Sequence, residues 1–514
     1  MTRSLVQSFD WLHTWAGLLA GWLLFAVFLT GSLALFKAEL GYWMQPELHT
    51  SARVSAGDAL AAAERVLRRE ADGARNWSIS LPDAREPTLR VAWQRPDGVP
   101  SSRWLDLASG AALEPRATQG GAFFTRFHYS LGLGRAGVWI VGGLAMAMLA
   151  ALVTGLVIHR RIFRDFFTFR PRAATQRAWL DAHNASGVLL LPFHLMITYT
   201  GLVLFYAFYM PAAIQALYAG DARAYFAELI PPVARPVSGE PRAVVPLGPL
   251  LARAEAQFGA GRVASLLVQN PGDAAALVHV FRSRDDRLAR VSDALVFDGG
   301  TGEVVAQRLQ PRASYLTERV MGGLHFAHFG GPFLRWLYFL AGLGSCAMIA
   351  TGLLLFTLKR CRKAQAGGFE RFAERVNVAA VAGALLACIA LPLANRLLPV
   401  GLPGRAGWEV AAFFLVWAAA LGHALLRPAE RAWVEQLGLA AGLCLALPLL
   451  NALTTRTHLG HALVQGDGLL AAVDLTALAC GLLLALLAVR LHRRPAALET
   501  GGAGPSPRAC GGVP

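Results

Sequence analysis

The residues with the most chemistry to offer in this chain are histidines set in apolar surroundings. Two of them, His183 and His194, lie in the run WLDAHNASGVLLLPFHLMITYTGLVLFY, Trp179–Tyr206. On one straight helix, eleven residues at about 100° and ~1.5 Å each would set both imidazoles near one face, about 16 Å apart. Neutral imidazole is the commonest metal ligand, and two imidazoles inside a membrane span suggest haem. Either histidine alone is as readily a hydrogen-bonded core or interface residue.

Repetition separates these readings. His13, Gly17, Thr30 and Gly31 in LHTWAGLLAGWLLFAVFLTGSLALF have the spacing of His183, Gly187, Thr200 and Gly201. His128 precedes Thr154–Gly155 by the same interval that separates His325 from Thr351–Gly352, with Trp139 and Trp336 in register. Residues 1–165 and 175–362 therefore read as a tandem internal repeat of span, long loop and span, packed about a pseudo-two-fold axis along the membrane normal. In that frame His13 and His183 stand at one depth and His128 and His325 at another, giving two levels where imidazoles face each other. His194 and His159 have no repeat partner, and Leu24 takes the place of His194. An ionisable group inside a span is functional by default, so both join the candidate ligands, with His328 as a further one. Gly17 and Gly187, one turn past His13 and His183, clear a face for a flat ring or for a neighbouring helix. The Thr–Gly pairs read as helix packing by small residues.

The frame that positions these residues is a membrane bundle. Hydrophobic residues make up 55% of the chain and charged residues 16%, and the apolar runs reach the ~20 residues needed to span a bilayer. The reading is an all-α bundle of about eight transmembrane helices. Residues 1–36, 126–160, 179–209 and 321–360 carry the first four spans, and 376–492 carry four more. Between them lie a basic loop, 161–178, and two long loops, 37–125 and 210–320. The net charge of +15 sits largely in short loops: HRRIFRDFFTFRPRAATQR holds six arginines against one aspartate, KRCRK follows the fourth span, and Arg493 and Arg494 follow the last. Positive short loops mark the cytoplasmic side, so both termini are expected there and the two long loops outside. No soluble basic stripe interleaved with aromatics exists to suggest nucleic acid.

Each long loop reads as a small α+β unit. DALAAAERVLRRE is an amphipathic helix followed by strand-like NWSISL, TLRVAWQ and SRWLDL; LGPLLARAEAQF is followed by RVASLLVQN, AAALVHVF and DALVFD. Asp106 with Gly110, and Asp298 with Gly302, close corresponding turns. His279 and His49 read as packing and loop residues. None of the six cysteines lies in the long loops, so no disulfide framework is expected there. His458 and His461 offer a His-x-x-His pair without further ligands, a weak metal signal. Asn451 and Asp474 hint at a polar path among the later spans, and the tail 495–514, rich in Gly, Pro and Ala, reads as disordered.

HTWAGL, the FHYSLG and LHFAHFGG entries to spans two and four, the repeated TG, and VIHRRIFRDFFTFRP followed by WLDAH and LPFHLMITYTG together resemble the PepSY-associated transmembrane helix family over about residues 5–362. The resemblance implies two periplasmic PepSY-like domains and a place in the bacterial inner membrane. It also implies similarity to di-haem reductases of ferric siderophores in iron uptake. The expected cofactor is haem b, two per chain, with His13, His128, His183, His194 and His325 as iron ligands and His159 as a further one; no catalytic side chain is expected. Expected partners are membrane lipid, a ferric siderophore or other ferric chelate, and a cytoplasmic reductant or quinol. Arg126 and Arg319, at the outer ends, are placed to attract acidic groups of such a chelate or to anchor the interface. The alternative is a non-enzymatic membrane protein acting in metal or haem transport, or regulating a periplasmic peptidase or partner.

Overall fold

The computed structural model describes residues 4–49, 54–159, 175–308, 312–361 and 367–493. Most of the arginine-rich loop and the whole of the tail 495–514 lie outside the described residues. The first helix starts where Ser4 and Gln7 cap each other reciprocally, and runs Leu5–Ala34 (α1). Helices follow at Lys37–Trp43 (α2), Ala56–Glu70 (α3), Ala122–Ser130 (α4), Gly134–Ile158 (α5), Thr175–Leu189 (α6) and Leu191–Leu204 (α7). After Leu247–Phe258 (α8) come Ala313–Phe326 (α9), Gly331–Cys361 (α10), Gly368–Val378 (α11), Ala384–Leu397 (α12), Arg405–Leu426 (α13), Ala429–Thr454 (α14) and Gly468–His492 (α15). Among the described residues seven helices are long and apolar enough to cross a membrane, or eight if the bent pair α6–α7 is one span.

That pair corrects the straight-helix reading of Trp179–Tyr206. Its two halves meet at 62°. Pro192, in the first turn of α7, has no N–H for the Val188 carbonyl, and its ring disfavours helical backbone at Leu191. His183 and His194 therefore sit on different helical segments. A second irregularity joins α11 to α12 through a π-helical turn, Ala379–Gly383. There the Trp417 indole donates to the Ala379 carbonyl at 3.0 Å, drawing it out of the regular ladder.

The chain forms two compact units. The first comprises Met1–Met44, Ala117–Leu202 and Arg335–Pro514, and holds the apolar helices. Within it the four C-terminal spans are fastened to the earlier ones by buried polar groups. Arg405 and Glu409, one turn apart on α13 and both fully buried, pair at 2.5 Å. Glu409 also accepts from the Thr118 hydroxyl at 2.5 Å and from the Asn395 amide at 2.8 Å. Arg396 lies 3.9 Å over the Trp43 ring, donates to the Trp43 carbonyl, and reaches Asn395 Oδ1 and Asn451 Oδ1, each at 3.1 Å. Asp474 accepts from the Trp43 indole at 2.9 Å and from Asn451 at 3.0 Å. Burying ions is costly unless they are paired or hydrogen-bonded: Arg405 and Glu409 pair with each other, and Arg396 and Asp474 are hydrogen-bonded to neutral partners. Trp22 on α1 adds a 2.7 Å bond to Asn377 on α11. The polar residues Asn451 and Asp474, read from sequence as a path, are members of this network.

The second unit, Gln45–Arg116 with Val203–Leu334, is built on one antiparallel sheet. Its strands are Asn76–Ser80 (β1), Leu89–Gln94 (β2), Pro100–Leu105 (β3), Ala112–Leu113 (β4), Val263–Gln269 (β5), Leu277–Arg282 (β6), Ala294–Asp298 (β7) and Val304–Arg308 (β8). The order is β4-β3-β2-β1-β5-β6-β7-β8. Both long loops thus contribute four strands each, and they meet where β1 pairs with β5, Asn76 opposite Gln269. One core runs under both halves: Leu60, Ala63 and Leu67 of α3 and Leu247, Leu251 and Ala254 of α8 pack on Ile79, Val91, Val268 and Val280. The two Asp turns close alike. Asp106 takes the amides of Ala108 and Ser109, and Asp298 those of Gly300 and Thr301. Gly110 and Gly302 adopt φ of +70° and +75° to complete them.

Candidate functional site

Three of the histidines dock on neighbouring helices by one repeated contact. His13 of α1 places Nδ1 2.9 Å from the Ala151 carbonyl of α5, beside Thr154 Oγ1 at 3.4 Å. His183 of α6 places Nδ1 2.9 Å from the Met348 carbonyl of α10, beside Thr351 Oγ1 at 3.3 Å. His128 of α4 places Nδ1 2.8 Å from the Val27 carbonyl of α1. A carbonyl only accepts, so Nδ1 carries the proton in each case and Nε2 the lone pair. That is how a ligating imidazole is held: one nitrogen tethered to fix tautomer and plane, the other presented.

The carbonyl used is always four residues before the glycine of a Thr–Gly pair, and the ring lies over that glycine. A Cβ on Gly155 would come within 3.2 Å of His13 Cε1, and one on Gly352 within 3.1 Å of His183 Cε1. On Gly31 it would stand 2.7 Å from both Cε1 and Nδ1 of His128. The threonines turn their hydroxyls back to their own helices, Thr30 to Ala26 and Thr154 to Ala150, each at 2.7 Å. The Thr–Gly pairs at 30–31, 154–155 and 351–352, read from sequence as packing, are therefore histidine cradles. Spacing along the sequence does not show a cradle, because each one joins two helices.

His13 and His183 come together: their ring centres are 6.4 Å apart with planes at 74°. Two imidazoles sharing one metal at about 2 Å each would have ring centres roughly 6 Å apart. Beside them, a Cβ on Gly17 would meet nothing within 4 Å, and one on Gly187 only Met348 Sδ at 3.8 Å. His159 is the C-cap residue of α5.

His194 is held differently. It is fully buried, and its Nε2 lies 2.9 Å from Ser345 Oγ, whose own proton goes to the Ala341 carbonyl. Nε2 is thus the protonated nitrogen, and Nδ1 is left buried without a hydrogen-bond partner. His325, near the end of α9 in the sheet-bearing unit, packs edge-on to Phe326 at 5.6 Å. His328 pairs with Asp285 at 3.0 Å. His423 bridges Glu435 at 2.8 Å and Gln436 at 3.2 Å. His458 caps a short helix, and among the described residues no group of three or more His, Cys, Asp or Glu is arranged to hold a metal ion. The two arginines singled out from sequence have close neighbours: Arg126 bonds Gln119, and Arg319 pairs with Glu318 at 2.5 Å and lies 4.7 Å over Tyr315.

Several apolar spans, a sheet-bearing unit supplied by two loops, and imidazoles tethered across helices define a multi-pass membrane protein. The chain belongs to the family described as the PepSY-associated TM region, whose model matches residues 11–360. It is similar to PA4219 of Pseudomonas aeruginosa, a protein described as uncharacterized, at 29% identity over 377 residues, 70% of this chain and 91% of that one. All three cradles fall inside the family match, and the four C-terminal spans fall outside it.

Proposed function

We propose that this protein is an inner-membrane electron-transfer protein that reduces ferric siderophores or other ferric chelates at the periplasmic face, using electrons from a cytoplasmic reductant or quinol. The observation that carries this reading is the His13–His183 pair, two imidazoles 6.4 Å apart, each tethered through Nδ1 to a backbone carbonyl. In this reading they would hold a haem b iron through their Nε2 atoms, and a second haem would take its ligands from the remaining candidate histidines. Haem bound there supplies reversible one-electron storage inside the bilayer. The chain's own contribution is orientation. The Ala151 and Met348 carbonyls fix the tautomers and planes of the imidazoles, Gly155 and Gly352 let them seat, and the room beside Gly17 and Gly187 leaves the approach open. Arginine-rich loops support assigning the His13 end to the cytoplasm.

Sidedness provides the test. Right-side-out and inverted membrane vesicles containing chemically reduced protein are given a membrane-impermeant ferric chelate. Oxidation of the protein and appearance of ferrous iron are expected with right-side-out vesicles alone. Reaction confined to inverted vesicles would overturn the direction, and no reaction in either would overturn the activity. A second reading draws on the sheet, whose edge strands β4 and β8 and lack of a metal cluster among the described residues suit a partner-binding module. In it the protein is non-enzymatic and acts in metal or haem transport or regulates a periplasmic peptidase.

A further inference from the structure

A pocket of about 300 Å³ opens between the N-terminal turns of α1 and the C-terminal turns of α10. We propose that it binds the head group of a membrane-dissolved quinol, the electron donor of the reading above, on which this inference rests.

The pocket's size lies at the lower end of small-molecule sites and suits a single substituted ring better than a nucleotide cofactor. Its walls are aromatic: Trp11, Trp15 and Phe356. Arg360 lies over two of these rings, its Cζ 4.9 Å from Trp15 and 4.1 Å from Phe356, which holds the guanidinium at the pocket. The polar groups differ in kind. Asp10 supplies a carboxylate, which can only accept; Thr14 supplies a hydroxyl; and Lys359 with Arg360 supplies donors. A quinol presents hydroxyl donors and its quinone presents carbonyl acceptors, and this set answers both states around a stacking surface. An anionic lipid head group would use Lys359 and Arg360, but it would be repelled by Asp10.

Position strengthens the assignment. Asp10 and Trp11 stand within one helical turn before His13, and Thr14 and Trp15 directly follow it. The pocket lies between the helix that carries His13 and the helix whose Met348 carbonyl tethers His183. In the overall reaction the quinol loses two electrons and two protons. Its two O–H bonds break to give the quinone, two ferric ions of chelated substrate become ferrous, and the protons leave by way of the Asp10 carboxylate to water.

The test uses detergent-purified full-length protein and ubiquinone-1, with tryptophan fluorescence as the readout, so that haem is not required. Quenching should saturate in the parent. Trp11→Phe should shrink its amplitude, and Arg360→Gln or Thr14→Val should raise the half-saturating concentration about tenfold, as loss of one good polar contact does. Asp10→Asn should slow reduction of the protein by ubiquinol-1 but not by dithionite. Quenching that rises linearly and equally in all variants would overturn the proposal. So would saturable quenching abolished by phosphatidylglycerol alone, which would mark a lipid head-group site. Saturable binding in haem-free protein would uphold the pocket and sink the haem reading; linear quenching in haem-loaded protein would do the reverse.

Discussion

Substituting the cradle glycines by alanine should produce a graded loss of stability that follows the contacts each new Cβ would meet. At Gly31 the Cβ would stand 2.7 Å from His128 Cε1 and Nδ1, where ordinary contact begins at 3.4 Å. The ring must then retreat by roughly 0.7 Å, which takes its 2.8 Å bond to the Val27 carbonyl beyond hydrogen-bonding range. The Val27 carbonyl keeps its bonds within α1, so losing the imidazole bond costs about 1 kcal/mol; overpacking adds about 1–3, and Gly31→Ala should cost about 2–4 kcal/mol. At Gly155 and Gly352 the new contacts are 3.2 and 3.1 Å, and the rings need yield only a few tenths of an ångström. A loss of about 1 kcal/mol is expected for each. Gly17→Ala meets nothing within 4 Å and should be neutral, or gain up to about 1 kcal/mol from helix propensity. Thermal unfolding of the detergent-purified protein, followed by tryptophan fluorescence, reads the series. If Gly17→Ala were as damaging as Gly31→Ala, or if all four behaved alike, the cradle account would be wrong and these glycines would be generic packing residues.

Other perturbations probe other parts of the molecule. Glu409→Gln or Arg405→Leu removes one partner of a fully buried pair and should cost about 3–5 kcal/mol; the double variant Arg405→Leu/Glu409→Leu should recover part of this, as thermal unfolding would report. In the sheet, burial pushes the His279 imidazole down to about 4, with the Arg308 charge adding to it. The unfolded chain takes up that proton near 6.5, so stability from this group is full above pH 6.5 and falls as pH drops towards 4, by up to about 3 kcal/mol. His279→Leu should therefore flatten the fall in melting temperature between pH 7 and pH 4.5, and an unchanged slope would exclude His279 as its source. Ser345→Ala removes the partner of His194 Nε2 and should destabilise the bundle by about 1–3 kcal/mol, measured in the same way.

Much of the bundle is legible in the sequence, since twenty or more apolar residues between basic loops carry the spans. The family membership also follows from short motifs that the family model matches over residues 11–360. What lies beyond reach is whatever depends on two distant segments meeting. Asn76 opposite Gln269 joins eight strands into one sheet, and neither strand announces the other. The bend at Leu190 was written in Pro192, yet hydropathy treats proline in an apolar run as neutral. Nothing in the sequence marks Arg396, Arg405 and Glu409, whose roles depend on Thr118, Asn395 and Trp43 closing around them. Of the candidate ligands, the sequence paired His13 with His183 by repeat spacing, and their rings lie in contact distance. It could not show that His194 turns its protonated Nε2 to Ser345, because a tautomer is set by a partner 151 residues away.

The central claim is that His13 and His183 hold one haem, and the visible spectrum tests it most directly. The affinity-purified protein is recorded oxidised and dithionite-reduced, with haem per chain measured in the parent and in His13→Ala and His183→Ala. The account predicts a reducible b-type spectrum with close to two haems per chain, and loss of the same single haem in either variant. A colourless parent, or full haem content in both variants, would contradict it.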